Sequence, residues 1–418
     1  MPRPLRHPAF LRIWGSSIAT YPARLAEITT LAWLVVDRTE SPFAIGLLSF
    51  FRFTPFLVIG PIMGVVADRI PRLRVVRISQ ISLTALTLAM AGLVFSGRLT
   101  LWHIYAYAAL SGALWTIEVP ARRTYAIGVA GRRGATSAVS FDMLAWTLGT
   151  IVGANFAGIM LRFVDAGYVF VGVSLQYVVS LWFLRGLPVL WRARPGLQRE
   201  PFLTSLAQGV AFAKQSRPLL AVIAIVAAQN MFGFTHEVLA PVFATDVLHT
   251  GPALFGLLLS APAIGSVITT AWISARGSRL RYHGRMLISA SVLLCGFAVA
   301  FAFSRWYPVS FLLFLAIGVI GAVFSIMHSA LYLILAPDEM RGRMLGLQAF
   351  VIGAYPISSL AVGAIADALT PAVAVTIMSG ACVLLLGLIF LMFPELRRTT
   401  DDLRAAAVPG RSRVPSTT

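Results

Sequence analysis

The sequence predicts an all-α membrane protein of twelve transmembrane helices, arranged as two pseudo-symmetric six-helix bundles. Three observations predict it. The 418 residues are 58% hydrophobic and only 12% charged, with a mean hydropathy of +0.82, whereas a soluble domain carries about 25% charged residues. The apolar residues gather in long runs, and a bilayer is the solvent that accepts so much apolar surface. The chain also repeats itself. Shifted by 210 residues, "SPFAIGLL" at 41–48 meets "GPALFGLL" at 251–258, with Pro42 on Pro252, Gly46 on Gly256, and Leu47 and Leu48 on Leu257 and Leu258.

In chain order, the runs of the first half cover 13–36, 44–67, 78–96, 101–118, 138–161 and 168–184. Each matches the roughly 20 residues of a spanning helix and far exceeds the ~10 alternating residues of a barrel strand. The first carries Arg24 and Glu27 and lacks a small-residue cleavage site, so it reads as a span and not as a removable leader. The stretch 185–218 is basic and Pro-interrupted. It ends in an amphipathic pattern with Phe202, Leu206, Val210 and Ala213 on one face, expected on the cytoplasmic membrane surface. The second half supplies 219–244, 254–275, 286–304, 307–335, 344–366 and 373–393, and 399–418 is polar and expected to be unstructured. The expected divisions are therefore an N-terminal bundle (1–184), a linker (185–218), a C-terminal bundle (219–393) and a cytoplasmic tail (394–418).

The net charge of +18 follows topology. With the N-terminus inside, only Arg38, Arg98, Arg162 and Arg305 fall in outer loops, and Arg24 and Arg52 fall within helices; every other Lys and Arg lies on the inner side. That asymmetry places both termini in the cytoplasm and removes the case for nucleic acid. Cys295 and Cys382, each inside a run, read as small packing residues. No Cys/His cluster has metal spacing and no phosphate-binding glycine loop is present, which argues against metal chemistry and ATP-driven transport.

One charged stretch interrupts the apolar pattern: "GVVADRIPRLR", 64–74. It resembles the signature loop between the second and third helices of the major facilitator superfamily, with Gly64, Asp68, Arg69, Arg72 and Arg74 at matching positions, Pro71 in place of the usual glycine and Leu73 where a basic residue is common. The resemblance spans about 8–395. "LRIWGSSIA", "RTESPFAIGLL", "PDEMRGRMLGL" and "YPISSLAVGAIADAL" are similar to the branch that includes enterobactin exporters and macrolide-efflux carriers. The chain departs from that branch at Arg24, where Gly-Asp is usual, at Glu118, where an apolar residue is customary, and at Ala154, which replaces a proline in "LGTIVGANFAG". The resemblance implies a plasma-membrane carrier, not an enzyme. It implies a cytoplasmic gate at the loop residues, and a cavity lined by the first, fourth, seventh and tenth helices.

Ionisable groups within spans cost about 2.5–3.5 kcal/mol each to insert, so they are functional candidates by default. The 210-residue shift pairs Glu27 with Glu237 and Glu118 with His328. All four are candidates for proton coupling, since Glu and His titrate within reach of neutrality when their surroundings shift them. Glu27 has Arg24 three residues away and Arg52 within reach, so it is expected to stay ionised. Glu237 has Phe234 and Pro262 at the shifted positions of those arginines, and is expected to be the carboxyl that takes up and releases the proton. Arg24, Arg52, Asn230, Tyr21, Trp115 and Phe232 are candidates for contact with substrate. The expected function is a monomeric secondary transporter without cofactor or metal, exporting an amphipathic organic compound by alternating access in exchange for protons. The alternatives are an uptake or uniport carrier of a small organic solute, or a transport-inactive scaffold of the same fold.

Overall fold

The computed structural model describes residues 7–66, 70–131, 134–189, 202–276, 282–337 and 340–407, and these contain helices and no strands. In order they are α1 (Pro8–Thr39), α2 (Pro42–Val66), α3 (Arg72–Phe95), α4 (Leu101–Ala130), α5 (Ala135–Phe163), α6 (Ala166–Leu184), α7 (Phe202–Gln215), α8 (Arg217–Ala228), α9 (Thr235–Val242), α10 (Pro252–Arg276), α11 (His283–Phe303), α12 (Tyr307–Leu335), α13 (Arg341–Ile352), α14 (Tyr355–Ala368), α15 (Pro371–Met392) and α16 (Thr400–Ala407). Starts follow familiar chemistry. Proline occupies the first turn of α1, α8, α12, α14 and α15, where its missing N–H costs nothing. The Asp165 carboxylate caps α6 by accepting the Gly167 N–H at 2.8 Å.

Among the described residues, ten spans are long and apolar enough to cross a membrane. The sequence predicts twelve. The two that fall short in apolarity are α1 and α4, although at 32 and 30 residues they have ample length. Their apolar character is diluted by the charged and hydroxyl groups that build the site below.

Four elements differ from expectation. The seventh run is interrupted: α8 passes into a π-helical turn at Gln229–Gly233, then α9, then a second such turn at Phe243–Val247. The Phe234 N–H reaches back five residues to the Gln229 carbonyl at 3.2 Å, the wider turn that marks a bulge. The eleventh run is split into α13 and α14 at Gly353–Ala354; Pro356 cannot donate to the Ile352 carbonyl, so a continuous helix loses a rung there. The fourth run ends at 118 in the sequence reading, but α4 continues to Ala130. And part of the polar tail is ordered. Thr399 caps α16 by accepting the Asp402 N–H, its hydroxyl donates to the Asp402 carboxylate at 2.7 Å, and Leu403 is buried.

The described residues fall into two units. The first comprises Met1–Arg199 with Val238–Ile264, the second Glu200–Glu237 with Gly265–Thr418. In the first, α1 lies against α5 and α6, α3 against α6, and α2 against α4. In the second, α11 lies against α12 and α15, with Phe301 and Phe314 rings 4.5 Å apart. The linker helix α7 packs on α13, where a Cβ added at Gly209 would stand 3.2 Å from the Met344 methyl.

The α1–α5 contact is made backbone to backbone. A Cβ on Gly149 would lie 2.9 Å from the Tyr21 carbonyl carbon, and one on Gly153 2.9 Å from that of Pro22. Small residues let helices approach this closely in lipid, where dispersion drives packing. Gly153→Leu is therefore expected to force the helices apart at a cost of about 1–3 kcal/mol. A thermal melt of the purified protein checks this; an unchanged midpoint would mean that the helices are already separable there.

Candidate functional site

The first unit buries charge at three linked places. At the centre is Glu27, which is fully buried. Its Oε1 accepts from Arg24 Nη1 at 2.9 Å and from Arg52 Nη1 at 3.4 Å, and its Oε2 accepts from the Tyr177 hydroxyl at 2.9 Å. Arg24 also donates to the Ser111 carbonyl at 3.1 Å, and its guanidinium stands 5.1 Å over the Trp115 ring. Arg52 reaches this point because Gly112 on α4 lets the α2 backbone in: a Cβ there would collide with the Arg52 carbonyl oxygen. Three helices, α1, α2 and α6, thus bring a donor to one carboxylate, held as an ionised carboxylate is, and α4 joins through the Ser111 carbonyl on Arg24.

The second place is a network around Arg122, with both Arg122 and Glu118 1% exposed. Arg122 Nε donates to Glu118 Oε1 at 3.0 Å, Nη1 to Ser16 at 2.7 Å and Nη2 to Thr20 at 3.1 Å. Ser16 and Thr20 both bond the Ser180 hydroxyl, and Gln80 Nε2 donates to Glu118 Oε1 at 2.7 Å. Among the described residues, Glu118 Oε2 and Gln80 Oε1 are buried without a hydrogen-bond partner. Arg122, expected among the inner-side charges that follow the fourth run, lies within α4 and at the centre of this network. The Glu118–Arg122 spacing of four, one helix turn, was the available signal. The third place joins Tyr21, whose hydroxyl donates to Asp142 at 2.6 Å, to Arg123, which holds the other carboxylate oxygen at 3.1 Å. Tyr21, Trp115 and Trp146 rings pack together with centroids 5.4–5.9 Å apart.

Among the described residues, the second unit buries no Asp, Glu, Lys or Arg. The Glu237 side chain is exposed, and among the described residues no hydrogen bond or ion pair reaches its carboxylate; its neighbour His236 is buried, edge-on to Phe314 at 5.9 Å. The two thus point apart, as residues 100° apart on a helix do. His328 is buried. Its Nδ1–H donates to the Phe324 carbonyl at 2.8 Å and its Nε2 accepts from Gln348 Nε2 at 2.9 Å, the arrangement of a neutral imidazole. A proton on Nε2 would require that amide to turn and present Oε1, which has no partner among the described residues. Asn230 is buried and returns its amide to the Val226 carbonyl at 2.9 Å, while Phe232 is half-buried.

Of the residues expected to form a gate, Gly64 lies in the last turn of α2, Arg72 opens α3 half-buried and Arg74 is exposed beside it; Asp68 and Arg69 lie outside the described residues. So does 190–201 of the linker. Among the described residues no group of three His, Cys, Asp or Glu is placed to hold a metal.

A family model described as transmembrane secretion effector matches residues 2–412. The chain belongs to this family of major facilitator transporters. The transporter is 23% identical over 342 residues to the staphyloferrin A transporter of Staphylococcus aureus, covering 81% of its own length and 84% of that protein's. It is 26% identical to the multidrug efflux pump Tap of Mycolicibacterium fortuitum (88% and 92% covered) and 24% identical to the enterobactin exporter EntS of Citrobacter koseri (94% and 93%). Its fold is that of the nucleoside transporter NupG, with a TM-score of 0.71 at 17% identity over 92% of this chain and 99% of that one. The membrane carrier fold expected from the charged loop and the repeat is thereby established, and with it a multi-pass membrane transporter that is not an enzyme.

Proposed function

We propose that the transporter exports an amphipathic organic compound across the cell membrane in exchange for protons, by alternating access. The observation that carries this reading is the unlike state of two acids at equivalent positions of the repeat. Glu27 is fully buried with three donors on it, whereas Glu237 has no hydrogen bond or ion pair among the described residues. A carboxylate locked in ion pairs serves as structure or as a fixed charge; one outside such pairs can gain and lose a proton as its surroundings change. Relatives named as siderophore and multidrug exporters support outward transport.

Inside-out proteoliposomes with an acidic lumen test it. Protons leaving the lumen are expected to drive accumulation of a macrolide, a siderophore or a cationic dye, and an ionophore that collapses the gradient is expected to stop it. Equal flux with and without the gradient would replace antiport by uniport. Flux of no compound under either condition would favour the inactive scaffold.

A further inference from the structure

The cluster around Glu27 does not balance its charge. Among the described residues, Glu27 from α1, Tyr107 from α4 and Tyr177 from α6 act on its two guanidiniums, and Arg24 acts on Arg52 as a like charge. With the phenols neutral, two arginines face one carboxylate. Arg24 is spent: it bonds Glu27 and the Ser111 carbonyl and covers Trp115. Arg52 is not. It is 7% exposed, and its single side-chain hydrogen bond among the described residues goes, at 3.4 Å, to the oxygen that Arg24 already holds at 2.9 Å. A guanidinium has five N–H donors, so most of this one's capacity is unused in a setting where unpaired charge is costly.

We infer that Arg52 is the site at which the transporter takes the acid group of its substrate, and that the substrate is an organic anion ionised at neutral pH. This deepens the export reading and rests on it. An acid at Arg52 would neutralise the surplus charge and use the planar fork that suits guanidinium to carboxylate. The half-buried rings of Trp115, which meets Arg24, and Trp146, packed on Trp115, are the aromatic surface of the same cluster against which an apolar body can pack. Glu27 then has a second role: by holding Arg24 and touching Arg52, it aims the guanidinium that the substrate meets.

The test is binding to the purified full-length protein, read as a thermal shift and by fluorescence titration. The probes are 4-phenylbutyrate, 1-naphthoate and 1-pyrenebutyrate, each beside its uncharged amide, with rhodamine 6G as an organic cation and sodium sulfate as an inorganic anion. At least one acid is expected to stabilise the wild type while its amide does not. Arg52→Gln is expected to weaken that acid at least tenfold, and Arg52→Lys to retain part of the affinity. Without ligand, Arg52→Gln is expected to melt at or above the wild type, because it removes an unbalanced charge, while Arg24→Gln melts below it. The inference fails if no acid shifts the wild type, if sulfate acts as well as the organic acids, if rhodamine 6G is preferred, or if Arg52→Gln keeps the response. No flux is measured in this experiment, so absence of proton-driven export in vesicles leaves its result readable. Conversely, failure of acid binding leaves export standing for a neutral or cationic compound.

Discussion

Arg122→Met is expected to lower the melting temperature of the purified protein by roughly 10 °C or to prevent its accumulation in the membrane. Removing one partner of a buried ion pair costs about 3–5 kcal/mol, because the other charge is left without compensation. Here the orphan would be Glu118, 1% exposed, with only the Gln80 amide remaining on it among the described residues. Ser16 and Thr20 would lose a donor as well, loosening the point where α1, α4 and α6 meet. Methionine keeps much of the length, so the loss comes from charge and hydrogen bonds, not from a cavity. The decisive control is the double variant Glu118→Gln/Arg122→Met, which removes both charges and is expected to recover most of the stability. If the single variant melts with the wild type, the pair contributes nothing to the fold and Glu118 becomes free to serve in proton transfer.

Glu237→Gln is expected to abolish uphill transport altogether, reducing the accumulation ratio in gradient-loaded vesicles to about one, while substrate binding and exchange at equilibrium persist. The amide cannot carry a proton between the two sides, but it occupies the same volume and leaves the exposed position polar. Glu27→Gln is expected to behave differently. It withdraws the counter-charge from Arg24 and Arg52 together and should appear first as instability. Should Glu237→Gln transport uphill with the wild-type pH dependence, proton coupling moves to His328, whose Nε2 faces a glutamine amide that can turn, or to Glu118.

Much of the architecture is legible in the sequence, since the bilayer imposes a simple rule on composition: about 20 apolar residues per span. Where the rule misled, a local cause is visible. The eleventh run breaks before Pro356, and the seventh bulges at Gln229–Gly233, because an apolar count is blind to which backbone rungs are made. Arg122 was misplaced for a related reason. A charge after an apolar run looks like a loop charge until the run is known to continue as helix to Ala130.

Composition and spacing were enough for the fold class, the repeat, and those pairs within a helix turn of each other, such as Arg24 with Glu27. How the remaining buried charges are shared depends on the packing of helices far apart in the chain. Tyr177 lies 150 residues from Glu27 and Gln80 lies 38 from Glu118, yet each makes a direct hydrogen bond. A side chain reaches a few ångströms, so its partner is set by which helices cross and how closely. That closeness depends on glycines: Gly112 admits the α2 backbone to α4, and Gly149 and Gly153 admit α1 to α5. Among the described residues, the surplus positive charge at Arg52 is a property of that crossing, because a guanidinium that shares its one carboxylate oxygen with Arg24 is recognised only once its neighbours have been placed.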